Sequence, residues 1–192
     1  MKKVDLNLPT DLRSLEVQLD EAEHDAHSLV ADLSEEQGAW RASADSWSVS
    51  QCLDHLTASS RVYLEVMQPI IGRARELGKL RRRPALPGPL GRWLVSKIEP
   101  PVKGFVRAKA PTSIQPRGDL PLSEAFGGYL KSHDEVRRFL RENADLDLAS
   151  IRFSNPFVKG LRFSVATGLY IIPAHERRHL WQAWRVRRRE IG

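Results

Sequence analysis

A chain of 192 residues with 41% apolar and 28% charged residues has the length and composition of one globular domain, and we expect residues 1–192 to form one. This composition argues against disorder, and no stretch reaches the ~20 consecutive apolar residues of a membrane-spanning helix. No apolar segment follows the two lysines near the N-terminus, so we predict a cytoplasmic protein. The single cysteine, Cys52, excludes an intrachain disulfide and a zinc site built from cysteines.

The net charge of +6 raises the question of an anionic partner. Cations at helix ends complement the helix dipole and keep a surface soluble, and we favour this explanation over a binding patch. No zinc finger, P-loop or RNA-binding motif accompanies the basic residues, so nucleic acid is not an expected partner. The basic residues form two groups, Arg73, Arg75, Lys79, Arg81, Arg82 and Arg83, and Arg185, Arg187, Arg188 and Arg189.

Two long helices are predicted in the first part of the chain. Between these two helices, Ser34 and Gln37 form a capping box that opens a short turn or helical fragment. Ser48 and Gln51 form a second capping box, and the helix that it opens should continue to about Leu77. The first helix carries a stripe at helical spacing, made of Leu12, Leu15, Leu19, Ala22, Ala26, Leu29 and Leu33.

The next segment, about residues 78–120, is rich in proline and cannot form one long helix. Within it we predict a short helix at about residues 89–98, with the indole of Trp93 covering part of the core. A connection of this length is much longer than antiparallel neighbours need. The long helices on either side of it can therefore run parallel, and we call this segment the crossover.

Two further helices complete the predicted bundle. The third long helix begins at Pro121, and Ser164 is expected to cap the fourth. No strand pattern of useful length is present. The sequence therefore predicts an all-α fold, a four-helix bundle with up-down-down-up topology and a long Pro-rich crossover that contains a short helix. The inward stripes are Leu122, Phe126, Tyr129, His133, Val136 and Leu140 in the third helix, and Val165, Leu169, Ile172, His179, Ala183 and Val186 in the fourth.

The segment HERRH at residues 175–179 matches the H-E-x-x-H pattern, in which two helical histidines bind zinc and the glutamate acts as general base. A zinc protease takes its third ligand downstream, and the extended form of that motif needs His or Asp where this chain has Arg185. We therefore disfavour a protease and look for the third ligand elsewhere in the chain.

A third imidazole is available from the second long helix. At ~1.5 Å per residue, His55 lies about 10 Å from the start of that helix, and His179 lies about 13 Å from the end of the fourth. In antiparallel helices, His55, His175 and His179 can converge on one ion and leave a coordination position open. Glu176 and Gln51 are candidate proton carriers or orienting groups near this site.

The remaining histidines and the cysteine have other expected places. His133 lies in the apolar stripe of the third helix, and three interpretations stay open: a satisfied core histidine, a partner of the metal site, or a fourth ligand that closes the open position. His24 and His27 are expected at the surface of the first helix. Cys52 is expected to act as a small core hydrophobe.

The segments WSVSQCLDHL and HERRHLWQ together resemble the two signatures of the DinB/YfiT-like superfamily, and the resemblance extends over essentially the whole chain. It implies an up-down-down-up bundle with a three-histidine site for nickel or zinc, and often a homodimer. It also implies activities that include metal-dependent hydrolases and transferases that join low-molecular-weight thiols to electrophiles. The residues that carry the resemblance are Trp47, Ser48, Gln51, His55 and Leu56, and His175, His179 and Gln182.

Two functions of different classes are consistent with these observations. The first is an enzyme in which a divalent metal polarises a small-molecule substrate, or lowers the pKa of bound water or of a substrate thiol. Such an enzyme is a hydrolase or a low-molecular-weight-thiol S-transferase, and in a transferase the substrate supplies the sulfur. The alternative is a non-catalytic module of a stress response that binds a metal or a small ligand. A membrane is not an expected partner of either.

Overall fold

The computed structural model describes residues 8–101 and 110–191, so that residues 1–7, residue 192 and residues 102–109 of the predicted crossover lie outside the described part. It is a helical protein, and the predicted all-α fold class is confirmed. None of the described helices combines the length and the apolar character that a membrane span requires. In chain order, the elements are α1 (Thr10–Val30), α2 (Glu35–Ala39), α3 (Val49–Glu76), α4 (Pro89–Ile98), a 3-10 turn (Thr112–Ile114), α5 (Leu122–Glu142), β1 (Arg152–Ser154), β2 (Arg162–Ser164) and α6 (Val165–Ile191).

The start and end of α3 follow from its terminal residues. The Ser48 hydroxyl accepts a hydrogen bond from the backbone N–H of Gln51 at 3.1 Å, and the Gln51 amide oxygen accepts one from the backbone N–H of Ser48 at 3.1 Å. This reciprocal pair satisfies two of the backbone donors that a helix start leaves without partners. Past the other end, Gly78 has a φ of 62°, a left-handed conformation that glycine adopts without steric cost. The predicted limits of this helix are confirmed.

Side-chain contacts fix the relative directions of the four long helices. In the pairs of residues that join α3 and α5, the residue numbers rise together, so these two helices, which the crossover connects, run parallel. The same is true of α1 and α6, whereas α3 and α6 run antiparallel. The pairs that establish these directions are Arg61 with Glu135 and Arg75 with Asn143 for α3 and α5, Gln18 with Arg177 and Asp25 with Trp184 for α1 and α6, and His55 with His175 and Met67 with Gly168 for α3 and α6.

Packed apolar side chains form two clusters along the bundle. One cluster contains Leu12, Met67 and Phe153, and all three are almost fully buried. The other contains Leu53 and Tyr129, and it surrounds the part of the bundle in which α3 begins. At roughly 1.5–3 kcal/mol for each large apolar side chain, these clusters supply most of the favourable free energy of folding. They hold α3 and α6 in a fixed register, which matters for the residues that the two helices share.

Strands β1 and β2 were not predicted. They pair antiparallel with Phe153 opposite Phe163, and both of these rings are buried. Three residues are too few to show the alternation of apolar and polar side chains by which a strand is recognised in a sequence. The hairpin leads directly into α6, whose first residue is Val165.

Helix α4 forms at the predicted place in the crossover, but the prediction for Trp93 was wrong. Its side chain is 57% exposed. The helix packs against the core through Leu94 and Val95 and places Gly91 against Thr167 of α6. The ring of Trp93 therefore lies on the side that faces solvent.

Candidate metal centre

Three histidines from two antiparallel helices come together near the start of α3. His55 lies on α3, and His175 and His179 lie one turn apart on α6. One ring nitrogen from each residue lies within 4.8 Å of the corresponding atoms of the other two. The Nε2 atoms of His55 and His175, which are 120 residues apart in the sequence, are separated by 3.4 Å. His55 and His179 are buried, and His175 is partly exposed. The structure thus brings together the three predicted ligands.

Hydrogen bonds on the far side of two rings set their orientation. Nδ1 of His55 lies 2.7 Å from the backbone carbonyl oxygen of Ile114. Because a carbonyl can only accept, Nδ1 carries the proton and the Nε2 lone pair is left free to bind. Nδ1 of His175 lies 3.3 Å from the hydroxyl of Ser59. In both rings Nε2 faces the shared centre, as a ligand nitrogen must.

All three imidazoles are held in the neutral form that binds metals. Burial lowers the pKa of His55, lowers the pKa of His175 to about 3, and lowers the pKa of His179 well below its ordinary value. The neighbouring histidines and Arg178 add to this effect on His175 and His179, because each would repel a second positive charge. Neutral nitrogens do not have to release a proton before they bind a metal.

The geometry fits one divalent ion. Two nitrogens bound at 2.0–2.1 Å with a tetrahedral angle between them are separated by about 3.3–3.4 Å. The distance of 3.4 Å between the Nε2 atoms of His55 and His175 agrees with that value. A set of imidazole ligands suits zinc, nickel, copper and iron. Three protein ligands leave at least one position for another molecule, which is typical of catalytic rather than structural sites.

The ring of Trp47 covers one side of the centre. Its centroid lies 4.7 Å from that of His55 and 5.6 Å from that of His179. Trp47 also lines a groove of about 140 Å³ together with Gln182 and Arg185. Trp47 was identified only as a motif residue, and its packing against the histidines was not predicted. The only available signal was its position just before the cap of α3.

The crossover contributes to the centre through an anchored segment. Asp54, next to His55 on α3, accepts a hydrogen bond from the backbone N–H of Arg117 at 2.8 Å and another from the Arg117 guanidinium at 2.7 Å. This pair fixes the chain close to Ile114, whose carbonyl accepts from His55. The contact of Ile114 with His55 was not predicted, because a backbone carbonyl leaves no pattern in a sequence. The pairing of Arg117 with Asp54 was not predicted either.

The two candidate proton carriers have other partners in the structure. Gln51 uses its amide oxygen to cap the backbone of Ser48. Glu176 is buried, and its Oε1 lies 2.9 Å from Nε2 of His133. Neither residue belongs to the group of ligand atoms that the three histidines form. A role of Glu176 or Gln51 in moving or orienting a proton stays a prediction.

His133 is completely buried and lies between two carboxylates. Besides Glu176, it faces Glu23 of α1, with 3.8 Å between Nδ1 and Oε2. Glu23 in turn pairs with the buried Arg137 at 2.7 Å. This chain of ionisable side chains connects α1, α5 and α6 behind the three histidines. Of the three interpretations considered for His133, a fourth ligand is disfavoured, because His133 does not belong to the group of ligand atoms that the other three histidines form. A core histidine and a partner of the metal site both stay open.

The surface predictions for the other histidines are confirmed, since His24 and His27 are exposed on α1. Cys52 is fully buried, as predicted for a small core hydrophobe. Burial raises the pKa of its thiol to about 12. Cys52 does not belong to the group of ligand atoms that the three histidines form.

One comparison with known proteins gives a match. The family model described as the DinB superfamily matches residues 18–183, a range that contains both motifs and all three histidines. No curated protein and no solved structure matches the chain.

Proposed function

The chain belongs to the DinB superfamily, and we propose that it is a metal-dependent enzyme in which His55, His175 and His179 hold one divalent ion, nickel or zinc. The observation that carries the proposal is the convergence of three neutral imidazoles from two helices. Bringing three such groups out of water costs free energy, and a bound metal offsets that cost. Among the described residues, no other group of three histidine, cysteine or acidic side chains brings its possible ligand atoms this close together.

The protein's own residues prepare the centre for chemistry. When bound, the ion supplies Lewis acidity, which polarises a substrate group or lowers the pKa of a substrate thiol or of water. Ile114 and Ser59 hold the rings of His55 and His175 in the binding orientation. Trp47 shields one side of the centre from water and lines the groove through which we propose a small substrate approaches.

Of the two reaction types, we favour thiol transfer over hydrolysis. A hydrolase needs a protein base or an orienting group close to the attacking water. The two candidates for that role lie beside other groups in the structure, the Glu176 carboxylate 2.9 Å from Nε2 of His133 and the Gln51 amide oxygen at the backbone of Ser48. A thiol activated by the metal does not need such a base, and the buried Cys52 leaves the sulfur to be supplied by the substrate.

Elemental analysis of the purified protein tests the metal site. We expect about one nickel or zinc ion per chain, lost in His55→Ala and retained in His24→Ala, which changes an exposed histidine of α1. A wild-type protein that holds no metal and cannot be loaded with either ion would overturn the proposal.

Turnover tests the reaction type. Cysteine as thiol and 1-chloro-2,4-dinitrobenzene as electrophile provide an absorbance assay for transfer, and a panel of nitrophenyl esters and nitroanilides tests hydrolysis. We expect transfer that requires the metal and is lost in His179→Ala. A fully loaded protein that turns over neither set would favour the non-catalytic metal- or ligand-binding module.

A further inference from the structure

A groove lined by basic residues lies far from the metal centre. A groove of about 300 Å³ is formed by the end of α3, the chain just after it and the β1–β2 hairpin. Four basic residues line it, and none of its lining residues is acidic. Ile70 and the exposed Leu77 contribute apolar surface to it. The four basic residues are Arg73, Lys79, Arg152 and Arg162.

These cations differ from the other basic residues of the same region. Three neighbouring arginines are paired with carboxylates, but none of the four groove cations has an ion pair with a described residue. The helix dipole explains a cation such as Arg73 in the last turn of α3. It does not explain Arg152 and Arg162, which come from the strands. The paired arginines are Arg75 with Asp145, Arg81 with Asp11, and Arg83 with Asp147.

The hairpin holds two of the cations at the groove. The guanidinium of Arg152 donates a hydrogen bond to the backbone carbonyl of Arg162 at 2.9 Å. The two residues lie at opposite ends of the paired strands, where Arg152 is opposite Ser164 and Arg162 is opposite Ser154. The hydrogen bond brings the Arg152 guanidinium next to the backbone of Arg162, so that both exposed side chains line the same groove. An anion bound among these cations would relieve their mutual repulsion.

The groove is separate from the metal centre and does not belong to the proposed reaction. Ile70 lies fifteen residues after His55 on α3, which is about 22 Å along the helix at ~1.5 Å per residue. None of the three histidines lines the groove.

We propose that this groove binds a small organic phosphate, with the phosphate among the four cations and a compact apolar body on Ile70 and Leu77. A phosphate monoester carries a charge near −2 and three acceptor oxygens, and arginine pairs hydrogen-bond such oxygens two at a time. The volume of about 300 Å³ lies at the lower end of the range for ligand pockets, which suits a molecule of about ten non-hydrogen atoms. The absence of acidic lining residues favours a dianion over a neutral ligand.

Calorimetric titration of the full chain with phenyl phosphate tests this site. We expect saturable binding at low salt, weakened by added salt, and no binding of phenol. In Arg73→Gln/Arg162→Gln, affinity should fall about tenfold for each arginine removed, or about a hundredfold in total. The matched control is Arg82→Gln/Arg138→Gln, which removes the same charge from two exposed arginines outside the groove and should bind like the wild type.

Three results would overturn the inference. Equal weakening in both double variants would show that net charge, rather than this groove, attracts the anion. Undiminished binding in Arg73→Gln/Arg162→Gln would place the ligand elsewhere. Binding to vesicles that contain phosphatidic acid, without binding of phenyl phosphate, would indicate a membrane surface instead of a soluble ligand. Metal content measured on the same preparations keeps a failure of this site distinct from a failure of the metal centre.

Discussion

Acid should destabilise the metal-free protein through the histidines of the metal centre. In the folded state, burial lowers the pKa of His175 to about 3, and it also lowers the pKa of His55 and of His179. In the unfolded chain all three return to a pKa of about 6.5. Below pH 6.5 the unfolded state therefore binds more protons than the folded state. The stability present above that pH is lost as the pH falls towards the lowered pKa values.

The size of the change in the free energy of unfolding can be worked out for His175. A group that titrates only in the unfolded chain changes the free energy of unfolding by about 1.4 kcal/mol for each pH unit below its pKa. At pH 5.5, one unit below 6.5, His175 alone accounts for a loss of about 1.4 kcal/mol, because its folded-state pKa of about 3 lies well below that pH. The lowered pKa values of His179 and His55 add to the loss in the same direction. Domains of this kind have a total stability of about 5–15 kcal/mol, so the loss is a measurable part of it.

Urea unfolding in the presence of EDTA, at pH 7.5 and pH 5.5, measures this loss. We expect a loss of at least about 1.4 kcal/mol for the wild type and a clearly smaller loss for His55→Gln/His175→Gln, which removes His175 and one of its two neighbouring histidines. His24→Gln, which changes an exposed side chain of α1, should lose as much as the wild type. A loss below about 1 kcal/mol in the wild type, or an equal loss in the double variant, would refute the reasoning.

Three other predictions concern packing, charge and metal. Gly168→Ala should lower the free energy of unfolding in urea by about 1–2 kcal/mol, because the new Cβ would lie 2.9 Å from the Phe153 ring. A Cβ at position 72 would have no atom within 4 Å, so Gly72→Ala should raise the same free energy by up to about 1 kcal/mol. Arg137→Met should cost about 2–3 kcal/mol and lower Tm by roughly 5–10 °C in a calorimetric scan, because it leaves Glu23 and Asp20 without their partner. Zinc at 100 times its Kd should raise the free energy of unfolding of the wild type by about 2.7 kcal/mol and leave that of His179→Ala unchanged. An equal gain in both proteins would contradict the assignment of the ligands.

Most of the helical frame could be predicted from local patterns. The cap of α3 depends only on Ser48 and Gln51, three residues apart, and its C-terminal limit depends on Gly78. The convergence of the three histidines was predictable for a related reason. Distance along a helix is proportional to residue number, so His55 and His179 could be placed at similar depth once their helices were taken as antiparallel.

The remaining features depend on contacts between distant segments. Nothing near His133 in the sequence indicates that Glu23 and Glu176, on two other helices, lie beside it. The packing of Trp47 on the histidines depends on the path of the chain before α3. The exposure of Trp93 depends on which face α4 turns to α6, and the hairpin is too short to have a recognisable period.

The bond from His55 to the carbonyl of Ile114 has a consequence for how this protein can vary. Because the acceptor is a main-chain atom, no replacement of the Ile114 side chain can delete it, and only a shift of the peptide can. A substitution in the crossover therefore leaves this acceptor in place as long as the anchor at Arg117 and Asp54 holds the peptide. An inserted or deleted residue between positions 114 and 117 should be tolerated far less well than any single exchange there.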